Sequence, residues 1–146
     1  MRAAFDDSPV AMSLSTLEGG KVLRVNQEWL RLTGYHVQEV LGKHVVDLGL
    51  WPDLPARQAA IDKVYRHGRV HDLEITMSLK HGAHKVIRWS GAIILLNGQQ
   101  NLLVSLQDVT PEKELAKALV HQLTLIHRVA ERTPDMLFQT LQVQGG

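Results

Sequence analysis

The pattern of hydrophobic and polar residues predicts strands at the two ends of the first 110 residues. VAMSLSTLEGGKVLRVN predicts two short strands around Gly19 and Gly20, since glycine adopts the positive φ of a tight turn. Later, Leu73, Ile75 and Met77 alternate with polar residues, which is typical of a strand with one buried face. HKVIRWSGAIILLNG and QNLLVSLQDV predict two further strands on either side of an Asn-Gly turn.

Between these strands the spacing of apolar residues becomes helical. NQEWLRLTGY predicts a short helix in which the side chain of Asn26 accepts a backbone N–H of the first turn and Gly34 ends the last. HVQEVLG predicts a second short helix, and ARQAAIDKVYRHG a longer amphipathic helix that ends at Gly68. Two strands, several short helices and a three-stranded meander together predict an α+β domain.

The pattern becomes helical again from Thr110. TPEKELAKALVHQLTLIHRVAER predicts a helix capped by Thr110, with Pro111 at its first helical position. Apolar residues at alternating spacings of four and three resemble the seam of a short coiled coil with one polar position. We expect this helix to leave the domain and to dimerise through that seam, although packing against its own sheet is an alternative. The seam consists of Leu115, Leu119, Gln122, Ile126 and Val129.

Composition narrows the class of protein. The 146 residues are 45% hydrophobic and 21% charged, with a formal net charge of +1, which is typical of a globular domain and gives no indication of nucleic-acid binding. No apolar run approaches the roughly 20 residues that span a bilayer. The chain contains no cysteine, which excludes disulfides and cysteine-ligated zinc. These features favour a cytoplasmic protein.

Two long segments resemble the PAS domain family of bacterial sensory proteins. FDDSPVAMSLSTLEGGKVLRVNQEWLRLTGYHVQEVLGK resembles the opening of that family. The second, GRVHDLEITMSLKHGAHKVIRWSGAIILLNGQQNLLVSLQDVTPEKELAKAL, resembles its sheet and ends in the Asp-hydrophobic-Thr motif at Asp108, Val109 and Thr110. His81 stands where the family turn usually carries Asp before Gly. The resemblance implies a five-stranded antiparallel sheet, short helices on one face and a C-terminal exiting helix.

The same resemblance implies how the chain is divided. Residues 1–110 are expected to form the PAS domain and residues 111–132 a signalling helix, with Asp108 and Thr110 at the junction. TPDMLFQTLQVQGG, residues 133–146, can be aligned with SPVAMSLSTLEGG, so that Pro134 matches Pro9 and Gly145 matches Gly20. An internal repeat of this kind is what tandem domains would produce. We therefore expect residues 133–146 to begin a second, truncated PAS repeat.

The resemblance also implies a small cavity between the helices and the sheet. Aromatic, aliphatic and small polar residues on both walls are the candidates for its lining. Both faces of VIRWSGAIILL are partly apolar, so the pattern leaves open which face of each strand is inward. The candidate ligand-binding residues are Asn26, Trp29, Trp51, Ile61, Ile75, Trp89 and Ser105.

We expect no bound cofactor, with flavin and haem as the alternatives. Light-sensing LOV relatives need a reactive cysteine, which this chain lacks, whereas a redox flavin could use Asn26, Trp29 and Trp89. His67 is the histidine nearest to the position from which some PAS domains ligate haem. The eight histidines of the chain fall mainly at turns and surfaces, so no metal site is expected.

No catalytic arrangement is evident in the sequence. Ser90 lies inside a predicted strand without a nucleophile elbow, and no glycine-rich phosphate loop is present. The favoured interpretation is a non-enzymatic sensory domain that relays the signal of a ligand or partner to a downstream output domain through its C-terminal helix, as a homodimer. A structural dimerisation spacer without a ligand is the main alternative, and a small metal-dependent hydrolase is the third.

Overall fold

The computed structural model describes the backbone of residues 2–132 and the side chains of residues 4–128. The chain divides into two units, one ending at Thr110 and one beginning at Pro111. The predicted repeat at residues 133–146 lies outside the described residues.

Five strands and five α-helices make up the described part of the chain, with a single 3-10 turn at Lys80–Gly82. The strands are β1 (Ala11–Thr16), β2 (Val22–Val25), β3 (Arg69–Ser78), β4 (His84–Leu96) and β5 (Gln99–Asp108). The helices are α1 (Arg2–Asp6), α2 (Gln27–Thr33), α3 (Val37–Val40), α4 (Leu54–His67) and α5 (Thr110–Arg132).

The strands form one antiparallel sheet in the order β2-β1-β5-β4-β3. The N-terminal hairpin therefore joins the C-terminal meander through β1 and β5, where Ser13 pairs with Val104. Trp89 of β4 pairs with Leu106 of β5 in the centre of the sheet. This arrangement confirms the predicted five-stranded antiparallel sheet.

The turns adopt the conformations that their residues favour. Asn97 and Gly98 have φ of 50° and 77°, as a two-residue hairpin turn of the primed type requires, so the predicted Asn-Gly turn is confirmed. In the turn between β3 and β4, His81 has a left-handed φ of 70°. Histidine is one of the few residues other than glycine that are enriched in this region, which explains how it replaces the usual Asp.

Helices α2, α3 and α4 contribute to one hydrophobic core with the sheet. Trp29, Val40 and Ile61 are buried together with residues of all five strands, among them Ile87 and Leu106. In β3 the predicted alternation is confirmed, since Ile75, Met77 and the following Leu79 are buried and Glu74 and Thr76 are exposed.

Strand β1 reverses the usual distribution of polar and apolar residues. Its buried face carries Ala11, Ser13 and Ser15, whereas Met12 and Leu14 lie on the other face and are only partly buried. Small and polar side chains fill less volume than the large apolar residues that normally face a core. The inner face of β1 therefore leaves space beneath the helices.

Candidate functional site

The core contains a small cavity between the sheet and the helices. Its volume is about 30 Å³, which is room for one or two water molecules. Every strand except β2 contributes to its wall, together with α2, α4 and the connection between α3 and α4. The lining residues are Ser13, Ser15, Trp29, Val45, Leu50, Trp51, Arg57, Ile61, Met77, Trp89, Leu102, Val104 and Leu106.

Three tryptophans line this cavity. Trp29 comes from α2, Trp51 from the connection before α4, and Trp89 from the centre of β4. The rings of Trp51 and Trp89 meet edge to face, with centroids 6.0 Å apart and planes at 75°. This geometry is one that aromatic pairs prefer, and it links the connection before α4 directly to the sheet.

Gly91 makes room for the ring of Trp89. A Cβ at position 91 would lie 2.5 Å from Cη2 of Trp89, closer than two carbon atoms can approach. We expect Gly91→Ala to lower the free energy of unfolding by about 1–3 kcal/mol through overpacking, as measured by urea denaturation. Combining it with Trp89→Leu should remove most of the additional cost, because the clashing atoms are gone. Equal effects of Gly91→Ala in both backgrounds would contradict this explanation.

The polar part of the lining comes from three residues. Ser13 and Ser15 are buried on β1, and Arg57 on α4 is half-buried. Burial lowers the pKa of the Arg57 guanidinium below its ordinary value. The cavity therefore combines aromatic walls with two hydroxyl groups and one cation.

Four of the seven predicted pocket residues line the cavity, namely Trp29, Trp51, Ile61 and Trp89. Their role in binding a ligand stays a prediction. The sequence interpretation missed Ser13, Ser15 and Arg57, although the reversed polarity of β1 was a signal for the two serines.

Asn26 is a structural residue and does not line the cavity. Its Oδ1 accepts the backbone N–H groups of Met12 and Trp29, and its Nδ2 donates to the carbonyl oxygens of Phe5 and Val10. All four bonds are between 2.8 and 3.0 Å long. The predicted cap of α2 is confirmed by the bond from Trp29, but the side chain has no group left for a ligand.

Ile75 and Ser105 were also placed wrongly. Ile75 is buried in the core beside the cavity without lining it, since Met77 is the lining residue of β3. Ser105 lies on the opposite face of β5, because side chains alternate along a strand and Val104 and Leu106 face the cavity.

The end of β5 is tied to β4 at the junction of the two units. The N–H of Val109 donates to the carbonyl of Val86 over 3.0 Å, and the N–H of Val86 donates to Oγ1 of Thr110 over 2.9 Å. Asp108 accepts from the N–H of Thr110 over 2.9 Å and from Nζ of Lys85 over 3.2 Å. Partial burial would raise the pKa of Asp108, but these bonds outweigh it and hold the pKa below its ordinary value.

This geometry corrects the predicted role of Thr110. Thr110 is the first residue of α5 instead of the residue before it, and its hydroxyl binds the backbone of β4. The carboxylate of Asp108 takes the N–H of the first helical residue, Thr110. The Asp-Val-Thr motif therefore joins the end of the sheet to the start of α5.

We expect Thr110→Val to lower the free energy of unfolding by about 1–2 kcal/mol, because a partly buried N–H of Val86 loses its acceptor while the shape is kept. Urea denaturation measures the loss, and amide exchange at Val86 should become faster. Thr110→Ser keeps the hydroxyl and is the matched control. If valine and serine have the same effect, the hydroxyl does not hold the junction.

In the second unit, α5 runs as one helix of 23 residues. Three of the predicted seam residues, Leu115, Leu119 and Ile126, are exposed by 63%, 53% and 60%. Val120 and Leu123 are exposed as well and widen the apolar stripe. The side chain of Val129 lies outside the described residues.

Other site classes find no support in the part of the chain that the structure describes. Within these residues, no group of three or more His, Asp or Glu side chains could hold a metal ion. No helix among the same residues is long and apolar enough to cross a membrane.

Comparison with known proteins relates the first unit to a family. A family model described as a PAS domain matches residues 9–111. A search of curated proteins gave no match.

Solved structures are similar over most of the chain. The PAS domain of a protein from Colwellia psychrerythraea is 25% identical with a TM-score of 0.66, covering 75% of this chain and 94% of that chain. An RNA-binding Light-Oxygen-Voltage receptor is 21% identical with a TM-score of 0.68, covering 84% of this chain but only 36% of the receptor chain. The PAS domain of nitrogen regulation protein NR(II) from Vibrio parahaemolyticus is 16% identical with a TM-score of 0.61, covering 73% of this chain and 94% of that chain.

Proposed function

The chain belongs to the PAS domain family, and from that premise we propose that it is the sensory module of a bacterial signal-transduction protein. A small molecule in the core cavity changes the packing of β4 and β5, and the junction at Asp108–Thr110 passes the change to α5. The helix then biases a downstream output domain. A cytoplasmic location belongs to the same proposal.

One observation carries this proposal: strands β4 and β5 both line the cavity and both take part in the hydrogen bonds of the junction at Asp108–Thr110. On β4, Trp89 lines the cavity and Val86, three residues earlier, binds Thr110. On β5, Leu106 lines the cavity and Asp108 lies two residues later. A displacement of the Trp89–Leu106 pair therefore has a short covalent and hydrogen-bonded route to the start of α5.

The cavity does not fit a flavin or a haem. Pockets for ligands of that size usually enclose about 300–1,000 Å³, against about 30 Å³ here. Trp29, Trp51 and Trp89 occupy the space that such a ring system would need. The proposed ligand is therefore small, or it enters by moving these side chains.

The small cavity also favours the second candidate function, a structural dimerisation spacer without a ligand. In that case the three tryptophans serve only as core, and the chain holds its neighbours at a fixed distance. The sensory proposal requires a two-state response to a ligand, whereas the spacer requires none. Within the residues that the structure describes, no group of side chains favours a metal-dependent hydrolase.

A ligand screen separates the two functions. We would record the indole N–H resonances of Trp29, Trp51 and Trp89 in the full chain, assigned with Trp→Phe variants, during additions of small polar and aromatic compounds. The sensory proposal predicts that at least one compound shifts these resonances saturably and also shifts the amide of Val86. Saturable binding without a response at Val86, or no binding by any compound, would favour the spacer.

The proposal includes a homodimer formed through α5. Most of the stability of an amphipathic helix comes from packing of its apolar face, so the exposed stripe of α5 gains stability when a second copy covers it. We expect Leu119→Asp combined with Ile126→Asp to convert the dimer into a monomer, because two carboxylates would face each other across the seam. Sedimentation velocity measures the change, and circular dichroism checks that the sheet is intact.

The control pair is Lys117→Asp with Thr124→Asp, which places the same number of acidic residues on the other side of α5. This control should remain dimeric. The proposed interface is wrong if the wild type is monomeric at high micromolar concentration, or if both double variants behave alike.

The wider domain organisation is also a proposal. Residues 1–110 form the sensory domain, residues 111–132 the signalling helix, and residues 133–146 begin a second repeat that precedes the output domain. The chain spans 36% of the RNA-binding Light-Oxygen-Voltage receptor that it resembles. Partial proteolysis of a longer protein, with cleavage sites mapped around residues 110 and 132, tests these boundaries.

A further inference from the structure

The cavity carries a cation that the protein leaves without a counter-charge. Four ion pairs join side chains of the described residues, and Arg57 takes part in none of them. Its guanidinium also has no side-chain or carbonyl acceptor among those residues, although it is half-buried. No fully enclosed polar side-chain atom among the described residues lacks a partner, so the guanidinium nitrogens reach solvent and all of their donors are available to an anion.

The backbone is shaped to admit this guanidinium. A Cβ at Gly20 would lie 2.7 Å from Nη2 of Arg57, so any side chain at position 20 would displace it. The carbonyl of Gly20 already accepts the N–H of Val45 over 3.0 Å. The glycine therefore supplies space for the cation without neutralising it.

Two free hydroxyl groups lie in the same cavity. Ser13 and Ser15 are 6% and 4% exposed, and neither side chain has a hydrogen-bond partner among the described residues. No fully enclosed polar side-chain atom in this part of the protein lacks a partner. The two free hydroxyls therefore border the open space of the cavity.

We propose that the cavity binds a small organic carboxylate, with the carboxylate on Arg57 and the serine hydroxyls and the short apolar part against the tryptophans. A guanidinium presents two parallel N–H donors that match the two oxygens of a carboxylate. Ser13 and Ser15 can donate to the same oxygens. This inference rests on the proposed sensory function and adds the class of ligand.

The volume of the cavity sets the size of the ligand. About 30 Å³ is room for one or two water molecules, so a carboxylate of two or three carbon atoms needs a small movement of the lining side chains, and a ring needs a tryptophan to move. Acetate, propionate and benzoate form a graded series of probes. Propionamide and benzamide match two of them in shape but carry no charge.

The test measures binding of these five probes to the full chain through the indole resonances of the three tryptophans. Sodium chloride is adjusted so that the ionic strength stays constant throughout. We expect propionate to bind at least about tenfold more tightly than propionamide, since a charged hydrogen bond replaces a neutral one. Arg57→Gln should remove this preference, Arg57→Lys should keep part of it, and the control Arg66→Gln, an exposed arginine on the same helix, should leave it unchanged.

The comparison of propionate with propionamide needs no variant, so it stands even if a substitution at Arg57 prevents folding. The inference is overturned if the amides bind as tightly as the carboxylates, or if Arg57→Gln keeps the preference. It is also overturned if no carboxylate of the series binds. If neutral compounds bind the cavity and shift the amide of Val86 while carboxylates do not, the sensory function stands and only the class of ligand is wrong.

Discussion

Asn26→Asp is expected to lower the free energy of unfolding by about 3 kcal/mol or more. Asn26 is 1% exposed, and its amide nitrogen donates to the carbonyl oxygens of Phe5 and Val10. Aspartate keeps the oxygen that accepts from Met12 and Trp29, but it replaces the donor with a second acceptor. Two carbonyl oxygens would then face a buried carboxylate, which is unfavourable for both.

Urea denaturation followed by circular dichroism measures the loss of stability. Asn97→Asp is the matched control, because Asn97 is exposed in a turn with positive φ, a conformation that aspartate also tolerates. The control should change stability by no more than about 0.5 kcal/mol. Similar effects at the two positions would show that the four bonds of Asn26 do not hold the N-terminal segment to the core.

Trp29→Ala is expected to lower the free energy of unfolding by about 3–5 kcal/mol. Trp29 is 1% exposed and forms the helical wall of the cavity, so alanine would enlarge that cavity by most of the volume of an indole ring. The surrounding residues belong to the sheet and to α4, and they can relax only partly. Such a loss is a large part of the 5–15 kcal/mol that typically stabilises a domain.

The stability of Trp29→Ala can be measured by thermal and urea denaturation. Tyr65→Ala removes an aromatic ring that is 52% exposed on α4 and should cost much less. If the variant is mostly unfolded, Trp29→Leu gives a smaller cavity and a measurable intermediate loss. A Trp29→Ala protein as stable as Tyr65→Ala would mean that Trp29 is not a core residue.

Local patterns were sufficient to predict the elements of this fold. The alternation in β3, the Asn-Gly turn and the glycine at the end of α2 each depend on a few neighbouring residues, and the structure agrees with all three. The order of these elements was enough to indicate the family. Local structure that depends on residues close in sequence is therefore well predicted from the sequence alone.

The lining of the cavity was harder to predict because it depends on which face of each strand is inward. In β5 the residues Leu102 to Leu106 are apolar on both faces, so Ser105 could be assigned to either. Only the pairing with β1, which sets Ser13 opposite Val104, fixes the inward face. The same long-range pairing was needed to recognise that the serines of β1 face the core.

Contacts between distant residues explain the remaining errors. Asn26 reaches back to Phe5, 21 residues earlier, so its side chain is fully used in a way that no local pattern indicates. Arg57 looks like an ordinary surface residue of an amphipathic helix, and only its position beside Gly20 and the cavity shows that its guanidinium is half-buried. Thr110 has the features of a helix cap, but its hydroxyl binds Val86, which lies 24 residues earlier.

The most direct test of the central claim is whether a change confined to the cavity reaches the junction through β4 and β5. Trp51→Leu removes the ring that meets Trp89 edge to face, and Trp51 lies on neither strand. The amide chemical shifts of Val86, Val109 and Thr110 should change in this variant. In the control Ser105→Ala, on the opposite face of β5, they should stay as in the wild type. If the changes caused by Trp51→Leu end near Trp89 and the three junction amides are unaffected, the cavity and the signalling helix are not coupled.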